Sequence, residues 1–229
     1  MIAVIGDIHG CYNTLLQLYE DIKTVYPEIE IYSVGDLVDR GNFSYEVVEF
    51  FKKNNIKFTS GNHDLMFYYY ITHQGHPIGK PWVYNGSEAT LQSYNHNRTR
   101  MREHFAYITK APLFMNLEDC FISHAGISGY YRKKFKNGIL DKLDELEVFL
   151  KNELTSQHGV IWTRDELMNI GKLQIVGHTM FPEVTMNKVS NTLYIDTSAY
   201  SGNKLSAVIV EDNQLVEIFS ANTHSLDIT

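Results

Sequence analysis

The chain of 229 residues sets 20 Lys+Arg against 27 Asp+Glu, a formal net charge of -7. With 44% apolar and 21% charged residues it has the make-up of a chain that folds around a core, not of a disordered one. The acidic balance and the absence of any Lys/Arg-rich run argue against non-specific nucleic-acid binding, which depends on neutralising phosphates. The apolar runs Leu65–Ile71 and Leu205–Val210 are too short for a membrane span, which needs about 20 residues. Met1–Gly10 has no basic stretch and already contains Asp7 and His9, so it does not read as a signal peptide. Two cysteines, Cys11 and Cys120, suit a reduced compartment better than a disulfide scaffold. These features predict a cytoplasmic chain with no nucleic-acid or membrane partner. The 10 histidines are the feature that asks for chemistry.

In chain order, Met1–Ile5 is a short apolar strand followed by Gly6-Asp7-Ile8-His9-Gly10. Leu15, Leu16, Leu18, Ile22 and Val25 then recur at helical spacing up to Pro27, and Pro ends a helix. Glu30–Val34 is a second strand, and it runs into Gly35-Asp36-Leu37-Val38-Asp39-Arg40-Gly41. A helix carrying Val47, Val48, Phe50 and Phe51 follows. Ile56–Thr59 is a third strand, ending in Gly61-Asn62-His63-Asp64 before a helix around Leu65–Ile71. This β-α-β-α-β rhythm predicts a parallel sheet with right-handed crossovers. Cys120–Ser123, Leu173–Val176, Leu193–Ile195, Leu205–Val210 and Leu215–Phe219 are strand-like with short connections. They predict a second, more antiparallel sheet packed on the first. No linker or repeat divides the chain, so one domain over residues 1–229 is expected.

Polar clusters fall where strands stop, which is where α/β sheets bind ligands. Asp7, His9, Asp36, Asn62, His124 and His178 form a set of oxygen and nitrogen donors without thiolate, suited to Mn, Fe or Zn. Six donors exceed what one catalytic ion takes, so two ions sharing a carboxylate fit better. Glycines beside these residues (Gly6, Gly10, Gly35, Gly61, Gly177) allow tight loops to converge. Each motif alone is weak, because Asp and Asn favour turns and helix starts for local reasons. Their ordered recurrence behind apolar strands is not. His73, His76, His96, His104, His158 and His224 are read as ordinary packing or surface residues, and Cys11 as a packing residue at a helix start.

Gly6-Asp7-Ile8-His9-Gly10, Gly35-Asp36-Leu37-Val38-Asp39-Arg40-Gly41, Gly61-Asn62-His63-Asp64, His124-Ala125-Gly126 and Gly177-His178-Thr179 resemble the ordered signature of the phosphoprotein phosphatase superfamily of metallophosphoesterases. The resemblance implies an α/β sandwich of two mixed β-sheets flanked by helices, with a dimetal site at the strand C-terminal ends. It also implies that Asp7 and His9 bind the first ion, that Asp36 bridges both, and that Asn62, His124 and His178 complete the second. Met180 stands where many relatives, including DNA-end-processing nucleases, carry a second histidine, which favours the phosphatase branch. The segments Trp82–Tyr94 and Ile161–Glu166 look like those of bacterial and phage serine/threonine phosphatases. Asp196-Thr197 with Gly202, Lys204-Leu205 and Ala207 fits both that group and the diadenosine tetraphosphatases. Ser60 stands where many members have arginine, and the usual proline after Gly-His-Thr is displaced to Pro182.

These residues predict a hydrolase in which a water activated between two divalent ions, with manganese first and iron or zinc as the other candidates, attacks a phosphate ester. Arg40 and Arg164 would hold phosphoryl oxygens through paired hydrogen bonds. The alternative for Arg40 is a salt bridge with Asp39, and for Arg164 a solvated helix start. His63, oriented by Asp39, would protonate the leaving oxygen. The leading expectation is a phosphoserine/phosphothreonine protein phosphatase acting on phosphoproteins, phosphopeptides or small phosphorylated substrates. A dinucleoside polyphosphate hydrolase is the alternative, and a non-catalytic phosphopeptide-binding module is third. The aromatics of residues 68–110 are expected mainly to pack, with some free to form a substrate wall.

Overall fold

The structure, a computed structural model, describes residues 1–135 and 138–228. Its N-terminal half follows the predicted rhythm: β1 (Ile2–Ile5), α1 (Tyr12–Val25), β2 (Glu30–Ser33), α2 (Ser44–Lys53), β3 (Lys57–Phe58) and α3 (Asn62–Thr72). β1 pairs parallel with β2, and β2 with β3. Every residue of β1 is buried, as expected of a strand covered on both faces. Alternation then divides the faces. Ala3, Ile5 and Ile31 pack with Leu15, Leu18, Val47 and Phe51 beneath the helices. Ile2, Val4, Tyr32 and Val34 face the other way, onto a second sheet.

Between the halves lie α4 (Ser87–Ser93) and α5 (Arg98–Ile108), then β4 (Phe114–Asn116), β5 (Phe121–Ser123), α6 (Leu143–Asn152), β6 (Gln174–Val176), β7 (Thr185–Asn187) and β8 (Thr192–Tyr194). Two long strands, β9 (Lys204–Glu211) and β10 (Gln214–Asn222), complete the ladder. The second sheet runs β4-β5-β6-β8-β7 and the first β10-β9-β1-β2-β3. This corrects the expectation that the C-terminal strands build one more antiparallel sheet. β9 and β10 instead extend the first sheet, with β9 antiparallel to β1. The second sheet has parallel pairs at its centre, β5-β6 and β6-β8, and antiparallel pairs only at its rims. The physical reason lies in β9 itself, since Leu205–Val210 are all buried. A strand apolar on both faces needs cover on both sides, and the free edge of β1 offers it while removing an unpaired ladder. β4 and β7 are three-residue strands, too short to leave a periodic signature.

The start of α1 is capped from far along the chain. Cys11, at the N-cap, gives the helix no side-chain capping bond, its thiol pointing instead to the carbonyl of His9. The fully buried carboxylate of Asp227 accepts from the backbone N–H of Asn13 at 3.0 Å and of Thr14 at 2.8 Å. Its own carbonyl accepts from Asn42 N–H at 2.9 Å. One turn, Ser225–Asp227, thereby ties together the loops that follow β1 and β2. A carboxylate there satisfies orphan donors and faces the positive end of the helix. Among the described residues, no helix is long and apolar enough to cross a membrane.

Candidate active site

Strand ends from both sheets converge on a cavity of about 190 Å³ lined by Asp7, His9, Asp36, Asn62, His63 and His178, with Arg40 and Arg164 at its rim. His124 and Asp39 lie directly behind it and are fully buried. All ten residues expected from the sequence are thus brought together. Five of them, His9 (φ 47°), Asp36 (53°), Asp39 (74°), Arg40 (73°) and His178 (62°), adopt left-handed backbone conformations. Non-glycine residues take this conformation only where surrounding structure holds them, and such strain gathers at functional sites.

Asp36 is the hub. Its Oδ2 lies 3.5 Å from His9 Nε2 and 3.4 Å from His124 Nε2. Two clusters of closely grouped donor atoms, His9–Asp36–His63 and Asp7–Asp36–His124, share it. Burial alone would push the Asp36 carboxyl up, but His124, His63 and His9 around it carry it well below the usual carboxylate range. Asp7 goes the other way: burial, with Asp196 nearby, holds its carboxyl well above that range. Burial works against protonated His124, yet Asp36 and Asp7 raise it to about 10. Burial and the charge of His124 lower His178 to about 3.

Hydrogen bonding fixes which nitrogen faces the cavity. His9 Nδ1 lies 2.9 Å from the carbonyl of Val38, and His124 Nδ1 lies 2.9 Å from that of Val34. A carbonyl only accepts, so Nδ1 carries the proton in both and Nε2 is turned inward. Arg40 Nη1 donates to His9 Nε2 at 3.0 Å, so that nitrogen presents a lone pair. His178 places Nε2 at 3.1 Å from the carbonyl of Trp162, leaving Nδ1, 3.0 Å from Asn62 Oδ1, on the cavity side.

The donor set fits divalent cations. Asp7 Oδ1 is buried and has no hydrogen-bond partner among the described residues, an arrangement a buried carboxylate oxygen does not keep without cause. Room has been made for both carboxylates. A Cβ on Gly177 would stand 1.8 Å from Asp7 Oδ1, and one on Gly61 would stand 2.1 Å from Asp36 Oδ1. Oxygen and imidazole donors around an unpartnered carboxylate suit a borderline-hard ion.

The calcineurin-like phosphoesterase family matches residues 1–225. The chain belongs to that family. It is 29% identical to the asymmetrical bis(5'-nucleosyl)-tetraphosphatase PrpE of Bacillus velezensis, across 95% of this chain and 92% of the relative. It is 21% identical to serine/threonine-protein phosphatase 1 of Salmonella typhimurium, across 91% of each. The crystal structure of the cold-active protein-tyrosine phosphatase of a Shewanella species superposes with a TM-score of 0.65 at 19% identity, covering 97% of this chain and 80% of that one. This last likeness confirms the fold. Calcineurin-like phosphoesterases are metal-dependent hydrolases built on a dimetal centre, and this chain is an enzyme of that kind.

Within this phosphoesterase, Arg40 does not pair with Asp39. Its guanidinium spans the cavity mouth, with Nη2 donating to His63 Nε2 at 3.1 Å, and rests 4.2 Å above the Tyr200 ring. His63 Nδ1 donates to Asp39 Oδ2 at 2.7 Å. Trp82 Nε1 at 2.9 Å and Thr90 Oγ1 at 2.7 Å also donate to Asp39. Arg164 is exposed at the rim. Met180 is 46% exposed, and its sulfur accepts from Tyr200 Oη at 3.3 Å. Ser60 turns away from the cavity and donates to the carbonyl of Ala111 at 2.9 Å.

Three residues were not expected in the site. The Asp64 carboxylate gathers the backbone N–H groups of Asp36 (2.9 Å), Leu37 (2.9 Å) and Gly61 (3.1 Å), locking two site loops together. Burial and Asp36 lift its carboxyl to about 7. The available signal was an acid at the third helical position behind Gly61, the acidic half of a capping box. Asp196 lines the cavity just after β8, repeating the strand-end pattern of the other acids. Tyr200, which braces Arg40, left no sequence signal.

Proposed function

We propose that this chain hydrolyses dinucleoside tetraphosphates, with phosphoserine/phosphothreonine hydrolysis as the second reading. The observation that carries the order is the identity to a bis(5'-nucleosyl)-tetraphosphatase, 29% over nearly the whole chain, against 21% for a serine/threonine phosphatase. This reverses the ranking drawn from motifs alone. Asp7, His9, Asp36, Asn62, His124 and His178 would hold two divalent ions, Mn(II) being the first to test. When bound, such ions supply an activated water and screen the phosphoryl oxygens.

The chain's own residues do the rest. Arg40, now held by His9 and His63, turns its planar donors to the phosphoryl oxygens, and Arg164 joins it from the rim. Departure of Arg40 frees His63 Nε2 to carry a proton. Asp39, behind Nδ1, stabilises the resulting imidazolium, and His63 delivers the proton to the leaving oxygen. Trp82 and Thr90 keep Asp39 in place.

Steady-state rates of the Mn(II)-loaded enzyme on diadenosine tetraphosphate and on phosphoserine and phosphothreonine peptides test the order. A kcat/KM higher for the dinucleotide by about tenfold or more, about 1.4 kcal/mol of differential transition-state binding, is the expected result. The opposite preference restores the protein phosphatase reading.

A further inference from the structure

Beside the phosphate cavity lies a second cavity of about 360 Å³, lined by Pro77, Ile78, Pro81, Thr155, Gln157 and Trp162. Its volume falls within the usual range of small-molecule sites, and among the described residues no charged side chain lines it. The two cavities are neighbours that share Trp162 in their lining. Asn85, which lines the phosphate cavity, donates to the carbonyl of Pro81 in the wall of the second at 2.7 Å.

Trp162 is held at two points. Its indole Nε1 donates to the carbonyl of Leu154 at 2.8 Å and its own carbonyl accepts from His178 at 3.1 Å; the residue is half-buried. A fixed indole, two proline rings and the buried Ile78 give the cavity apolar walls, one of them an aromatic face. Amide and hydroxyl groups of Gln157 and Thr155, both exposed, stand at its mouth. Flat apolar walls with uncharged hydrogen-bonding groups at the edge are what a heteroaromatic base requires: faces to stack on and partners for its rim.

We infer that this groove is the subsite for one nucleobase of the substrate, a purine nucleoside whose polyphosphate chain passes Trp162 into the cavity of Asp36 and Arg40. The inference rests on the dinucleotide reading above. Stacking a base remote from the reacting phosphorus contributes binding energy that selects dinucleotides over simple phosphate esters.

The test uses the full chain and two readouts. Trp82 is fully buried, so quenching of tryptophan emission by adenosine, which has no phosphate, reports on Trp162. Adenosine quenches the wild type. Thr155→Met, which fills the groove from an exposed position, abolishes the quench and raises KM for diadenosine tetraphosphate about tenfold, the scale of one lost base stack. Hydrolysis of p-nitrophenyl phosphate, which has no base, is retained. If the dinucleotide is hydrolysed but Thr155→Met changes neither its KM nor adenosine quenching, the inference is overturned. It is equally overturned if Thr155→Met raises KM for a phosphopeptide alone, since the groove then takes a peptide side chain. A wild type that is quenched by adenosine yet cleaves no dinucleotide supports the nucleoside groove and overturns the substrate reading instead.

Discussion

His63 stands between two groups with opposite demands. Asp39 behind it accepts a hydrogen bond from Nδ1, and Arg40 in front donates one to Nε2. Both nitrogens are therefore engaged by protein, which suits proton transfer, although the ring also groups with His9 and Asp36 as a possible ligand. His63→Asn separates the two roles. We expect kcat to fall about 10²–10⁴-fold, the usual contribution of a positioned acid, with bound Mn(II) unchanged by elemental analysis. Loss of the ions would make His63 a ligand. At this scale the sequence was largely legible, because five of the six donors sat next to glycine in loops after strands, His124 being the exception. Asp64 and Tyr200 were not. Asp64 acts on backbone N–H groups from residues 36, 37 and 61, and Tyr200 acts on an arginine 160 positions earlier. Only the Gly61 bond, at capping-box spacing, is local; the bonds to residues 36 and 37 and the Tyr200 contact leave no local pattern.

At the scale of elements, residues 80–93 acquire a purpose their motif did not reveal. The 3₁₀ turn Lys80–Tyr84 and α4 bring Trp82 and Thr90 against Asp39, so the segment is a clamp on the carboxylate behind His63. Of the aromatics in residues 68–110, Trp82 and Tyr94 are fully buried, whereas Tyr84 is 90% exposed. Thr90 Oγ1 both donates to Asp39 and accepts from its backbone N–H at 2.9 Å. Thr90→Val removes both bonds. It is expected to lower kcat about 10–100-fold, as losses of supporting hydrogen bonds around metal sites do, without loss of metal, while Thr90→Ser restores the rate and the wild-type pH profile. Equal behaviour of the two variants would reduce Thr90 to a packing residue. Of the elements themselves, the first six were legible because helix and strand periods alternate cleanly. The fate of β9 was not, since burial on both faces says only that a strand is central, not in which sheet.

Across the whole molecule, the cation site is kept ready by protons. The Asp7 carboxyl is held up by burial, and His124 is held protonated by Asp36 and Asp7. Each must release its proton before it can donate a lone pair, so cation uptake competes with protons. Mn(II) affinity measured calorimetrically should rise between pH 6 and pH 8, with proton release visible in buffers of different ionisation enthalpy. A pH-independent affinity would place the ion elsewhere. The sign is that of groups whose raised values favour the protonated, cation-free form at low pH.

The proposed ligands are shared between the sheets: Asp7, His9, Asp36 and Asn62 follow strands of the first, and His124 and His178 follow β5 and β6 of the second. Between the sheets lies an apolar layer, which resists separation but not sliding. Ions gripped from both sides would act as rivets through that layer. A ligand present at a thousand times its dissociation constant stabilises the folded state by about 4 kcal/mol. Here that stabilisation would fall on the seam itself, so the chemistry of the site and the mechanical integrity of the sandwich would depend on the same few side chains.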